Sequence, residues 1–165
     1  MGKTQKDLEA AFSGESQASR KYFYFAKKAE LDGFKQVAKL FRAAAIAETI
    51  HAGNHLKALG GINDTRSNLL AAIEGENYEV TTMYPEFIGD AKAEGDTRAE
   101  KTFKWAYEVE KTHEELYKKA LANLDNPQED VDYYICPFCG HTHAGPPPEK
   151  CPVCGAPREK FEKVD

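Results

Sequence analysis

Two short stretches decide how this chain is read: AETIH, Ala47–His51, and EVEKTH, Glu108–His113. Each places a glutamate three residues before a histidine, Glu48 with His51 and Glu110 with His113. One such pair means little, because most of them face water. Two pairs in register mean more. With an offset of 62, Glu48 falls on Glu110 and His51 on His113, and the same offset aligns Tyr22 with Tyr84, Phe25 with Phe87 and Gly33 with Gly95. The chain therefore contains two copies of a helical hairpin, each with Glu-x-x-His on its second helix.

Working outward, apolar residues recur at three- and four-residue spacing through FKQVAKLFRAAAIAETI and FKWAYEVEKTHEELYKKAL. Helix stops are expected at Asp32-Gly33, Gly60-Gly61 and Gly95-Asp96. Four helices follow, near 4–31, 34–59, 65–94 and 97–124. Each is about 40 Å long at 1.5 Å per residue, and together they read as a four-helix bundle.

The first helix of each copy adds carboxylates. Glu15 in GES aligns with Glu76 in GEN at an offset of 61, and Glu79 lies one turn beyond Glu76. A Glu from each of two helices plus a Glu-x-x-His from each of the other two is the ligand set of di-iron and di-manganese carboxylate bundles. Residues three apart on a helix are about 60° apart around its axis, so Glu and His reach neighbouring cation positions. Two cations also explain why Glu15, Glu48, Glu76, Glu79 and Glu110 would converge despite repelling one another. His55 has no histidine counterpart, since Tyr117 takes the aligned place, and is read as a surface residue or a support for the ligands.

Tyr22 follows Glu15 by seven residues, two turns along one face, whereas Tyr84 follows Glu79 by five, about 140° away on an ideal helix. The offset grows from 61 at Glu76 to 62 at Tyr84, so one residue is inserted between them. A π-bulge accommodates an inserted residue, and Pro85 already lacks a backbone donor there. A bulge between Glu76 and Pro85 is predicted, turning Tyr84 toward the carboxylates.

The four cysteines form two Cys-Pro-x-Cys-Gly knuckles, Cys136 with Cys139 and Cys151 with Cys154. Four thiolates so spaced suit a tetrahedral iron or zinc ion, and leave no cysteine as a nucleophile. The intervening His141 and His143 are expected on the surface. Seven of the eight prolines lie from Pro127 onward, which marks a linker at 125–132 between a bundle, 1–124, and a metal knuckle domain, 133–165.

Composition excludes other classes. A net charge of −5 without a basic stripe argues against nucleic acid. No run of about 18 apolar residues is present, so no membrane span is expected. The opening MGKTQKDLEAAF lacks a signal-type apolar core, and a cytoplasmic protein is expected.

The stretches AFSGESQASRKYFYFA, IEGENYEVTTMYPEF, EVEKTHEELY and CPFCG…CPVCGAP together resemble the rubrerythrin family across essentially the whole chain. The resemblance implies an all-α ferritin-like bundle followed by a rubredoxin-like domain. It implies two iron ions in the bundle and one in the four-cysteine site, where zinc is also possible. Glu48 and Glu110 would bridge the pair, Glu15 and Glu79 would be terminal on one iron, and Glu76 and His113 on the other. His51 would exchange with Glu79 as the redox state changes, with Tyr22 and Tyr84 hydrogen-bonding the ligands. The implied activity is reduction of hydrogen peroxide to water. Electrons would come from a rubredoxin or another carrier and an NAD(P)H-linked reductase. The alternative is ferroxidase or iron-handling chemistry.

One topological expectation follows from length. The segment from Gly60 to Arg66 spans at most about 25 Å, too short to return along a 40 Å bundle. Either the topology is simple up-down, or a homodimer exchanges helical hairpins; exchange keeps the ligand geometry and is the solution expected.

Overall fold

The structure, a computed structural model, describes residues 2–126 and 130–165. Helices α1 (Lys3–Leu31), α2 (Lys35–Ala58), α3 (Thr65–Tyr78), α4 (Tyr84–Glu94) and α5 (Thr97–Ala122) precede three short strands. A π-helical turn, Glu79–Met83, joins α3 to α4. The third expected helix is thus one helix carrying the predicted bulge. Among the described residues no helix is long and apolar enough to cross a membrane.

The chain forms two compact units, Met1–Asn63 and Asp64–Asp165. In the first, α1 and α2 form an antiparallel hairpin whose seam is lined by small residues. Ala26, Ala29, Ala38, Ala45 and Ala52 are buried there, which lets the two backbones approach closely. Ser19 Oγ and Thr49 Oγ1 lie 2.8 Å apart across the seam. Larger apolar side chains of the same hairpin, among them Phe25, Leu40, Ile46 and Ile50, are exposed.

In the second unit α5 packs against α3, the π turn and α4. Two aspartates start its helices. Asp64 accepts the Ser67 N–H, and Asp96 accepts those of Arg98 and Ala99. Each such cap is worth about 1 kcal/mol. The hairpin turns use the glycines that the repeat aligns. Gly33 and Gly95 have φ of 84° and 72°, a left-handed conformation that ends a helix and that side chains with a Cβ rarely adopt.

The strands β1 (Tyr133–Ile135), β2 (Thr142–Ala144) and β3 (Glu162–Val164) form an antiparallel sheet in the order β2-β1-β3. Ile135 pairs with Thr142 and Glu162. Of the expected linker, residues 127–129 lie outside the described residues.

Candidate metal centres

Three groups of side chains could each hold a cation: Glu15, Glu48 and His51; Glu76, Glu110 and His113; and Cys136, Cys139, Cys151 and Cys154. Within each group the ligand atoms lie within 4.8 Å of one another. The first comes from α1 and α2, the second from α3 and α5, as the duplicated Glu-x-x-His predicts.

In the first group His51 Nδ1 is 3.0 Å from Glu48 Oε2, and the His51 side chain is 54% exposed. A hydrogen bond between the two carboxyls raises the pKa of Glu15 and lowers that of Glu48. His55 is half-buried, and its charge favours ionised Glu15.

The second group is more enclosed. His113 Nδ1 lies 2.6 Å from Glu110 Oε2 and 3.8 Å from Glu76 Oε1, with the ring 27% exposed. Burial, then the charge of Glu110, pushes the Glu76 carboxyl up to about 7. Burial and Glu110 likewise raise Glu79, which lies outside the tight triad but within reach of its field. Glu110 raises His113 by hydrogen bonding. Carboxyl and imidazole pKa values that are all raised mark a cluster short of positive charge. A bound cation supplies that charge, so the donor set fits one.

The π turn brings Tyr84 near this group. Its N–H bonds to the Glu79 carbonyl, five residues back, which absorbs the inserted residue. Burial, then the charges of Glu79, Glu110 and Glu76, raises the Tyr84 phenol to about 12. Tyr22 packs against Phe25 and Phe41 at centroid distances of 6.3 and 6.1 Å, and Tyr84 against Phe87 and Phe103 at 6.3 and 6.4 Å. Phe41 and Phe103 also obey the offset of 62 and complete this pair of aromatic triads, a repeat signal that the sequence reading passed over.

In the sulfur group, Cys136 and Cys154 Sγ are 3.5 Å apart, as are Cys139 and Cys151. These distances exclude disulfides and approach the edge of a sulfur tetrahedron around a metal, with metal–sulfur bonds of about 2.3 Å. The knuckles close alike. Gly140 N–H donates to the Cys136 carbonyl and Gly155 N–H to that of Cys151, both at 2.9 Å. Burial opposes ionisation of Cys136, yet the N–H groups of Cys139 and Phe138 hold its pKa below the usual thiol value. Burial pushes Cys139 and Cys154 up. Four ionised sulfurs therefore require a cation.

One expectation is corrected. His141 is 6% exposed, against Phe161, not on the surface; neither ring nitrogen has a hydrogen-bond partner among the described residues. His143 is half-buried. The small sheet needs an aromatic filler between its loops, a demand that spacing alone does not reveal. Two further contacts have no sequence signal because their partners are distant in the chain. Glu114, buried, accepts from the distant Asn77 Nδ2 at 2.9 Å, beside its local i,i+4 bond from Lys118 Nζ at 2.7 Å. His113 Nε2 lies 2.8 Å from Thr142 Oγ1.

Comparison with known proteins fits this geometry. The rubrerythrin family profile matches residues 6–121, and the profile of the rubrerythrin rubredoxin-like domain matches residues 134–162. Nigerythrin of Nitratidesulfovibrio vulgaris is 37% identical over 98% of this chain and 86% of its own. Rubrerythrin of the same organism is 34% identical over 97% and 93%. The solved structure of mixed-valence nigerythrin aligns with a TM-score of 0.60 at 36% identity, covering 99% of this chain and 88% of that one. The chain therefore belongs to the rubrerythrin family, joining a ferritin-like bundle with a carboxylate di-iron site to a rubredoxin-like domain with a four-cysteine iron site.

Proposed function

We propose that the protein is a non-haem di-iron peroxidase that reduces hydrogen peroxide to water, fed by a rubredoxin or another carrier and an NAD(P)H-linked reductase. The observation that carries this reading is the presence, in one chain, of two carboxylate–histidine groups and a separate four-cysteine group. The bound irons supply two electrons at the paired site and single-electron steps at the cysteines, so that peroxide, two electrons and two protons give two waters.

The protein residues position and protonate. With the cations bound, Glu48 and Glu110 would be shared by both, Glu15 and Glu79 would hold one, and Glu76 and His113 the other. The exposed His51 is free to swing, as an exchange with Glu79 requires, whereas His113 is held at both nitrogens. Tyr84, whose phenol stays protonated through neutral pH, holds a proton beside Glu79 and Glu110. Tyr22 is its counterpart in the first hairpin.

The functional division is 1–124 for the bundle, 125–132 for the linker and 133–165 for the rubredoxin-like domain, in a cytoplasmic protein. The unit is a homodimer with exchanged hairpins, each di-iron site drawing Glu15, Glu48 and His51 from one chain and the other ligands from its partner. Two observations support this. The first hairpin leaves Phe25, Leu40, Ile46 and Ile50 exposed, an apolar face of the kind that a partner covers. Only six residues, 59–64, separate α2 from α3, about 20 Å when extended, against about 36 Å for α2 itself.

Anaerobic stopped flow tests the activity. Fully reduced protein should consume one peroxide per two electrons, much faster than it reacts with O2; equal rates would overturn the peroxidase assignment. Iron handling would instead show Fe(II) oxidation beyond the protein's own three iron positions.

A further inference from the structure

The two Glu-x-x-His histidines differ in what holds the far side of the ring. His113 presents Nδ1 to Glu110 and Glu76, and its Nε2 lies 2.8 Å from Thr142 Oγ1 on β2. Among the described residues His51 Nε2 has no such partner. An imidazole binds a cation through one nitrogen and needs an acceptor for the N–H on the other, which fixes both tautomer and ring plane. Thr142 can be that acceptor. Its own hydroxyl points toward the Gly140 carbonyl at 3.5 Å, leaving lone pairs for the His113 Nε2–H.

Thr142 also follows His141 directly, and the His141 backbone bonds to the sulfur cluster. The N–H of His141 donates to Cys139 Sγ, and the His141 carbonyl accepts the Cys136 N–H at 2.9 Å. Pairing of Ile135 with Thr142 fixes β2 against the strand that leads into Cys136. A route of two hydrogen bonds and one short backbone segment therefore runs from Cys139 Sγ through His141 and Thr142 to the His113 ring.

We infer that Thr142 is a positioning residue that locks the His113 ring and couples the four-cysteine site to the di-iron ligands of its own chain's second hairpin. The inference rests on the iron reading of both sites. With iron bound at both sites, one electron would leave the cysteine-held ion for the ion beside His113, and Thr142 would keep the His113 Nε2 proton in place.

Two variants test it. In protein loaded with zinc at every site, nitrogen NMR should show His113 with a protected Nε2–H in the wild type and in Thr142→Ser. Thr142→Val should lose that protection. In iron-loaded protein, peroxide-driven reoxidation of the iron–thiolate chromophore should slow about tenfold or more in Thr142→Val. Its reduction potential should not change, and Thr142→Ser should restore the rate. A Val variant that keeps the protected proton, or a Ser variant as slow as Val, overturns the inference. Mixed dimers decide whose centre is served. Cys139→Ser and His113→Ala on the same chain should leave about half of the fast reoxidation, because the wild-type chain is intact. The same changes on opposite chains should abolish it; fast reoxidation in that second dimer sinks same-chain coupling. If peroxide oxidises none of these proteins, the peroxidase assignment fails, while the zinc NMR still judges the lock.

Discussion

The two copies of the helical hairpin began as equivalents and no longer are. Both keep an aromatic triad, Tyr22/Phe25/Phe41 and Tyr84/Phe87/Phe103, with the paired phenylalanines at centroid distances of 5.6 and 5.5 Å. Both keep Glu-x-x-His. They part where the second copy gains one residue, the π turn and Glu79, and where its histidine is met by Thr142. Duplication supplies a symmetric cradle for two cations, and a small number of added contacts makes the two positions chemically distinct. The histidine of one pair is exposed, while that of the other is enclosed and held at both nitrogens.

Glu48 and Glu110, the proposed bridges, should be the least distinguishable. Glu48→Ala and Glu110→Ala should each reduce the peroxide reaction by about a hundredfold or more, with loss of bundle iron by metal analysis and an unchanged iron–thiolate spectrum. A large effect in one and none in the other would break the equivalence of the halves. Glu79→Ala removes the carboxylate that duplication does not explain. Iron should remain bound, since His51 can serve, while turnover falls by about ten- to a hundredfold. Unchanged turnover would make Glu79 a bystander.

Protonation distinguishes the halves next. Glu76 has its pKa raised from 4.5 to about 7 in the folded metal-free protein, so the folded state binds the proton more tightly than the unfolded one. Its contribution favours folding below pH 4.5 and turns progressively unfavourable as pH rises to about 7. His113, raised by Glu110, adds stability that is complete at low pH and lost as pH rises through its folded pKa. Both act in the same direction, so metal-free protein should lose stability between pH 5 and 8. Glu76 should account for about 1–2 kcal/mol after allowing for solvent screening. In the first hairpin Glu15 and Glu48 shift in opposite directions, so their pH dependences oppose each other. Denaturant titrations of Glu76→Gln should therefore show a flatter profile and those of Glu15→Gln little change; the reverse would misplace the asymmetry.

The smallest difference concerns the phenols. Tyr84→Phe should slow peroxide reduction by about fivefold, the value of one hydrogen bond, and more than Tyr22→Phe does. Single-turnover rates of the two variants measure it, and a greater effect of Tyr22→Phe would reverse the assignment.

Much of this is written in the chain itself. The repeat, the two ligand triads, the knuckle cysteines and even the π turn follow from counting residues, because helical and knuckle geometry converts spacing directly into direction. An offset that changes from 61 to 62 inside a helix leaves the backbone no option but a bulge. What counting could not reach are contacts between residues far apart in sequence. The burial of His141, the Asn77–Glu114 bond and the Thr142–His113 bond depend on how separate elements pack, and packing is set by the shapes of many side chains at once. Local periodicity placed the ligands; only tertiary structure decided which histidine is held and by what.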